Sequence, residues 1–184
     1  MAFLILTILI VLFALLAIWD GFYLHIIKYR LFNHEESRFE HLMHTFRAIL
    51  FPVIVYFLFL TQNNLVFYCI GLMAVAADIA VLAVDAYAEK DSRVFMGGLP
   101  RWEYIIHLFV NGFHFASIAL FLSIKLNITE LGLEVIPSLE SVSNSAMFEL
   151  VAWNLLPGAV LLAIVHILTC RKKGIDLWNR FFSR

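Results

Sequence analysis

Five long apolar stretches constrain this chain more than any other feature. They cover roughly residues 2–27, 42–61, 64–87, 103–124 and 146–169, and each has the length of about 20 mostly apolar residues that a helix needs to cross a bilayer. Composition agrees: 62% of the 184 residues are hydrophobic and 15% charged, against about half and a quarter in an ordinary soluble domain. The expected class is an all-α integral membrane protein with five transmembrane helices. No Lys or Arg precedes the first stretch, which reads as a span and not as a signal-peptide core. A formal net charge of -1 excludes bulk attraction to nucleic acid. Cys69 and Cys170 fall near opposite ends of spans, so neither a disulfide nor a thiolate metal motif is expected.

Loop charge sets the orientation, because short loops rich in Lys and Arg stay in the cytoplasm. The first connection carries Lys28, Arg30 and Arg38, the third carries Lys90, Arg93 and Arg101, and the tail adds Arg171, Lys172, Lys173, Arg180 and Arg184. The second connection has none, and the fourth has Lys125 against Glu130, Glu134 and Glu140. This alternation predicts an N-terminus outside and a cytoplasmic C-terminus. Residues 1–170 read as one transmembrane domain. Residues 171–184, with Ile175, Leu177, Trp178, Phe181 and Phe182 between basic residues, read as an amphipathic tail on the inner leaflet.

A repeat organises the domain. Arg38-Phe39-Glu40-His41-Leu42-Met43-His44 returns 63 positions later as Arg101-Trp102-Glu103-Tyr104-Ile105-Ile106-His107. In each copy Glu and His are four apart and share a helix face. Asp20 and Asp85 precede the two copies near the ends of apolar runs. The expected architecture is a four-helix bundle of two repeated hairpins, about 1–61 and 64–124, with a peripheral fifth helix at about 146–169. Ser37 and Glu40 have the spacing of a capping box at the second helix, and Pro52 should kink that helix.

Ionisable residues gather in the cytoplasmic half of every span, where charge is costly and marks function. Asp20, Arg47, Asp78 and His114 form a deep set, in which Arg47 should pair with Asp20 or Asp78 and which could also serve as a proton path. Glu40, His44, Asp85, Glu103 and His107 lie shallower, with only surface arginines expected near them. A pseudo-two-fold axis along the membrane normal would set Glu40 and His44 opposite Glu103 and His107, with Asp20 and Asp85 as companions. The predicted metal ligands are therefore Asp20, Glu40, His44, Asp85, Glu103 and His107. Around them His25, His41, Arg47, Asp78, His114 and His166 are expected as supporting residues or a proton path. His25 lies about 140° around an ideal helix from Asp20, so the two share a face only where the helix is distorted at Gly21.

Carboxylate and imidazole without thiolate favour iron, manganese or zinc, with iron or zinc expected here. The arrangement is similar in outline to di-iron carboxylate bundles, in which facing helices supply Glu and His, but the spacing here is Glu-x-x-x-His where theirs is Glu-x-x-His. The functional expectation is a membrane metalloprotein with a His/carboxylate, dinuclear site. As an enzyme it would be an oxidoreductase or hydrolase taking a lipid or quinone-like ligand from the bilayer. Three alternatives stay open: a structural subunit of a membrane complex, a b-type haem protein ligated by His44 and His107, and a proton-coupled transporter, for which five spans call for a homo-oligomer.

Overall fold

The apolar stretches do form helices. The computed structural model describes residues 1–130 and 132–182, and five helices are long and apolar enough to cross a membrane: Ala2–Asn33, Glu35–Leu60, Leu65–Ser92, Arg101–Lys125 and Ser145–Thr169, counted with their terminal turns. Helix α1, Ala2–Ala17, runs directly into a π-helical segment, Ile18–Lys28. Helix α2, Arg38–Ile54, likewise continues as π-helix over Val55–Leu60. The wider winding of α2 begins three residues after Pro52, whose ring removes an N–H and crowds the preceding turn. Helix α3, Leu65–Ser92, starts at Asn64, whose side chain accepts from the N–H groups of Val66 and Phe67 at 3.0 and 3.2 Å. Helix α4, Arg101–Lys125, is followed by two short antiparallel strands, β1 Leu126–Thr129 and β2 Gly132–Val135. Helix α5, Ser145–Thr169, leads into α6, Lys172–Phe182. The last two residues of the expected tail, Ser183 and Arg184, lie outside the described residues.

The packing is a ring. α1 packs on α4 and α5, and α2 packs on α3 and α5. α3 and α4 close the ring only loosely, across a cleft lined from both sides. The expectation of a peripheral fifth helix fails, because α5 wedges between α1 and α2 and lines the central cavity with Ala159, Leu162 and His166. One end of the bundle, carrying the β-strands, is filled by an aromatic core in which Phe3 packs on Phe148 at 5.5 Å and Phe59 on Phe121 at 5.0 Å. There α3 approaches α2 closely at Gly71, where a Cβ would stand 2.7 Å from the Leu58 nitrogen. At the other end, the α1–α2 and α3–α4 connections meet, and nearly all buried ionisable side chains lie in that half.

Candidate metal centre

The centre is organised by a residue that reads, in sequence, as a surface charge. Arg93, in the α3–α4 connection, is 0% exposed, as are Glu40, Glu103 and His25 around it. Its Nη1 donates to Glu40 Oε2 at 2.6 Å, while Nη2 and Nε donate to Glu103 Oε1 at 2.8 and 3.2 Å. The planar fork of a guanidinium can bridge carboxylates from two helices in this way, and a lysine ammonium could not. Burial alone would lower the Arg93 pKa, but Glu40 and Glu103 outweigh it and the net shift is upward. Ser92 Oγ donates to Glu40, and Ser37 Oγ donates to the Ser92 carbonyl at 2.5 Å, tying the two connections together. The capping box is therefore absent: Ser37 makes no side-chain cap bond to α2, because its hydroxyl and the Glu40 carboxylate are both used across the connection.

Beside this bridge stand two His/carboxylate groups that share His25: Asp20 with His25 and His107, and Glu40 with His25 and His44. Asp20 Oδ1 lies 3.1 Å from His107 Nε2 and 3.5 Å from His25 Nε2. His44 Nε2 lies 3.5 Å from Glu40 Oε1 and 3.4 Å from Asp85 Oδ2. Donor atoms bound to one tetrahedral zinc at about 2.0–2.1 Å are themselves about 3.4 Å apart, so these gaps have the size of a shared cation site, although His25 Nε2 also accepts from Arg93 Nη2 at 3.2 Å. His107 Nδ1 meets Glu89. Its Nε2 hydrogen-bonds Asp20, so carboxylates engage both ring nitrogens; a carboxylate behind one ring nitrogen is also what orients a metal-binding imidazole. His25 reaches Asp20 because a π-helix closes i to i+5 hydrogen bonds, so residues five apart return to one face. The distortion required at Gly21 is thus the whole of Ile18–Lys28.

Several buried donor and acceptor atoms here have no hydrogen-bond partner: His25 Nδ1, Glu40 Oε1, Asp85 Oδ1 and Glu103 Oε2. Buried polar atoms are nearly always paired, so these four atoms are free to meet a water, an ion or a ligand. No family model, curated protein or solved structure matches this chain.

The deep set divides. Arg47 Nε donates to Asp78 Oδ1 at 3.1 Å and its Nη2 to Asn111 Oδ1 at 2.8 Å, and His114 Nε2 stands 3.0 Å from Asp78 Oδ2. Arg47 thus pairs with Asp78, and Asp20 belongs to the His cluster. Asp20, Arg47, Asp78 and His114, with His44 and His166, line a central cavity of about 90 Å³ whose remaining wall is apolar, including Phe13, Phe51 and Val110. His41 is buried behind the cluster, bonded to Thr169 Oγ1 at 3.1 Å and stacked on His166 at 5.4 Å.

All six residues expected as ligands, Asp20, Glu40, His44, Asp85, Glu103 and His107, come to this one region. Two corrections follow: His25, expected in a supporting role, is central to both groups, and the expectation of surface arginines alone fails at Arg93. Sequence reasoning also missed Ser92 and Asn111, and it gave Ser37 only a capping role. The one signal for Arg93 was its place in the repeat, eight residues before Arg101 as Arg30 is before Arg38. Its counterpart behaves oppositely, since Arg30 turns outward and donates to the Phe182 carbonyl at 2.7 Å.

Proposed function

We propose that this chain is an integral membrane metalloprotein that binds metal at a His/carboxylate centre in the cytoplasmic half of its helix bundle, with its N-terminus outside. The observation that carries the reading is the pair of ligand groups sharing His25, set among buried donor atoms without partners. Charge supports it: five carboxylates (Asp20, Glu40, Asp85, Glu89 and Glu103) gather here, and the Arg93 guanidinium bonds only two of them, Glu40 and Glu103, while Asp20, Asp85 and Glu89 meet only imidazoles. Arg47 is already used by Asp78. Glu40, His44 and Asp85 would hold one metal and Asp20 and His107 the other, with His25 and Glu103 between them. Nitrogen and oxygen donors without thiolate suit iron, zinc or manganese. Iron would supply dioxygen chemistry and zinc an activated water.

We place the substrate side at the α3–α4 cleft, where Asp85, Glu89, His107 and Asn111 line a small cavity of about 40 Å³ together with Asp20 and His44. A lipid-soluble molecule, of the lipid or quinone class, would approach it laterally between α3 and α4, which pack on each other only loosely. An oxidoreductase or hydrolase acting on such a molecule is the activity this arrangement suits. A haem between His44 and His107 suits it less, because the His25 ring, 4.3 and 5.7 Å from theirs, stands beside both where a macrocycle would have to lie.

Arg93 favours one second reading. A guanidinium bridging Glu40 and Glu103 is also what a self-paired polar core in a structural subunit would use. Elemental analysis of the purified protein separates the two: bound metal near stoichiometry, lost in His107→Ala and kept in His34→Ala, supports the centre. His34 is a control because it stacks on Phe95 at 3.8 Å outside the cluster. Protein without metal, unchanged by His107→Ala, would leave the structural reading.

A further inference from the structure

The α1–α2 connection, the start of α2 and α6 border an open pocket of about 690 Å³, in which Arg38, Lys172 and Asp176 are exposed. Two cations line it, Arg38 and Lys172, with one carboxylate, Asp176. Among the described residues neither cation has an ion-pair partner. The local charge is therefore +1, the complement of one phosphodiester. His41, 2% exposed, also lines the cavity. Thr169 Oγ1 donates to the Val165 carbonyl at 2.9 Å, so it accepts from His41 Nε2. That tautomer leaves His41 Nδ1 as a buried acceptor without a partner.

A second cavity of about 200 Å³ shares Thr169 with the first. Its wall is almost wholly apolar, from Leu168, Leu177, Phe181 and Phe182; its polar members are Thr169 and Trp178, whose Nε1–H is buried and unbonded. The α6 helix that walls both cavities is held in place by the Arg30 bond to Phe182 and by paired Asn33 and Asn179 amides at 3.1 and 3.2 Å. α6 also turns close under α5 at Gly174, where a Cβ would collide with the Leu168 carbonyl oxygen.

A cationic pocket beside an apolar slot, with Thr169 lining both, matches an anionic amphiphile better than a free anion, which would need only the first pocket. We infer that this double cavity binds one anionic phospholipid of the inner leaflet, of the phosphatidylglycerol type. The phosphate lies at Arg38 and Lys172, a headgroup hydroxyl donates to His41 Nδ1, an ester carbonyl accepts from Trp178, and one acyl chain fills the slot under α6. Basic pockets at the cytoplasmic ends of helices recognise such lipids. The inference rests on the membrane placement and orientation proposed above but not on the metal.

Native mass spectrometry of the detergent-purified full chain, offered equimolar phosphatidylglycerol and phosphatidylcholine, tests it. Wild type should retain one phosphatidylglycerol in preference to phosphatidylcholine. The Arg38→Gln/Lys172→Gln variant should lose that preference by roughly tenfold to thirtyfold. Trp178→Phe, which keeps an apolar ring and removes the N–H, should weaken retention of both lipids without altering the preference, and it serves also if the double variant does not fold. Equal retention of the two lipids by wild type, or an unchanged preference in the double variant, would overturn the site. Inorganic phosphate binding with no lipid retained would assign the cavity to a free anion. Failure to retain any lipid or detergent would instead count against the membrane placement.

Discussion

Arg93→Met tests the core of the site without touching any proposed ligand. The substitution keeps an unbranched chain of similar reach and removes the charge, leaving Glu40 and Glu103 in a region where both are 0% exposed. Breaking a buried ion pair by deleting one partner typically costs about 3–5 kcal/mol. Here one deletion strands two carboxylates on different helices, so the upper part of that range is expected. For a chain of this size about 1 kcal/mol moves the midpoint of unfolding by about 2–4 °C, which puts the expected fall at roughly 10–20 °C. Thermal unfolding in detergent, followed by tryptophan fluorescence, reads this directly. Removing the stranded charges as well, in Arg93→Met/Glu40→Gln/Glu103→Gln, should recover much of the loss, because replacing a whole buried ionic group is far less costly than breaking it. A midpoint within about 2 °C of wild type for Arg93→Met, far inside the shift expected, would refute the bridge and return Arg93 to the surface.

Three further outcomes follow from the packing and the charge pattern. Arg47→Leu should destabilise by about 3–5 kcal/mol through the stranded Asp78 carboxylate, and an unchanged unfolding midpoint would mean that Arg47 escapes to the surface. Gly71→Ala should cost about 1–3 kcal/mol, because its Cβ would sit 2.7–2.8 Å from the Leu58 backbone and backbone cannot swing aside; a neutral effect would show that α2 and α3 sit farther apart. A reporter fused after the tail should be active only in the cytoplasm, and activity only outside would reverse the orientation.

The fold was legible because hydropathy acts over long windows. The expected spans of about 64–87 and 146–169 compare with Leu65–Ser92 and Ser145–Thr169, and the amphipathic tail is a helix, Lys172–Phe182. Composition does not encode helix winding, so the π-helical turn that swings His25 round to Asp20 was invisible as anything but a condition on Gly21. The depth layers brought the right carboxylates and histidines to one region, since depth follows from rise per residue. They did not resolve which carboxylate meets which cation, and so Asp20 was grouped with Arg47. Arg93 escaped for a different reason: a charged residue in a short connection looks solvated whether the chain folds it outward, as at Arg30, or inward between two glutamates.

X-ray absorption at the metal edge of the purified wild-type protein tests the central claim most directly, because it reports the element and its first shell together. The account predicts bound iron, zinc or manganese with only nitrogen and oxygen neighbours at about 2.0–2.2 Å and with imidazole among them. That imidazole signal should weaken in His25→Ala, since His25 is shared by both ligand groups. A sulfur shell, a porphyrin signature, or no metal edge at all would contradict it.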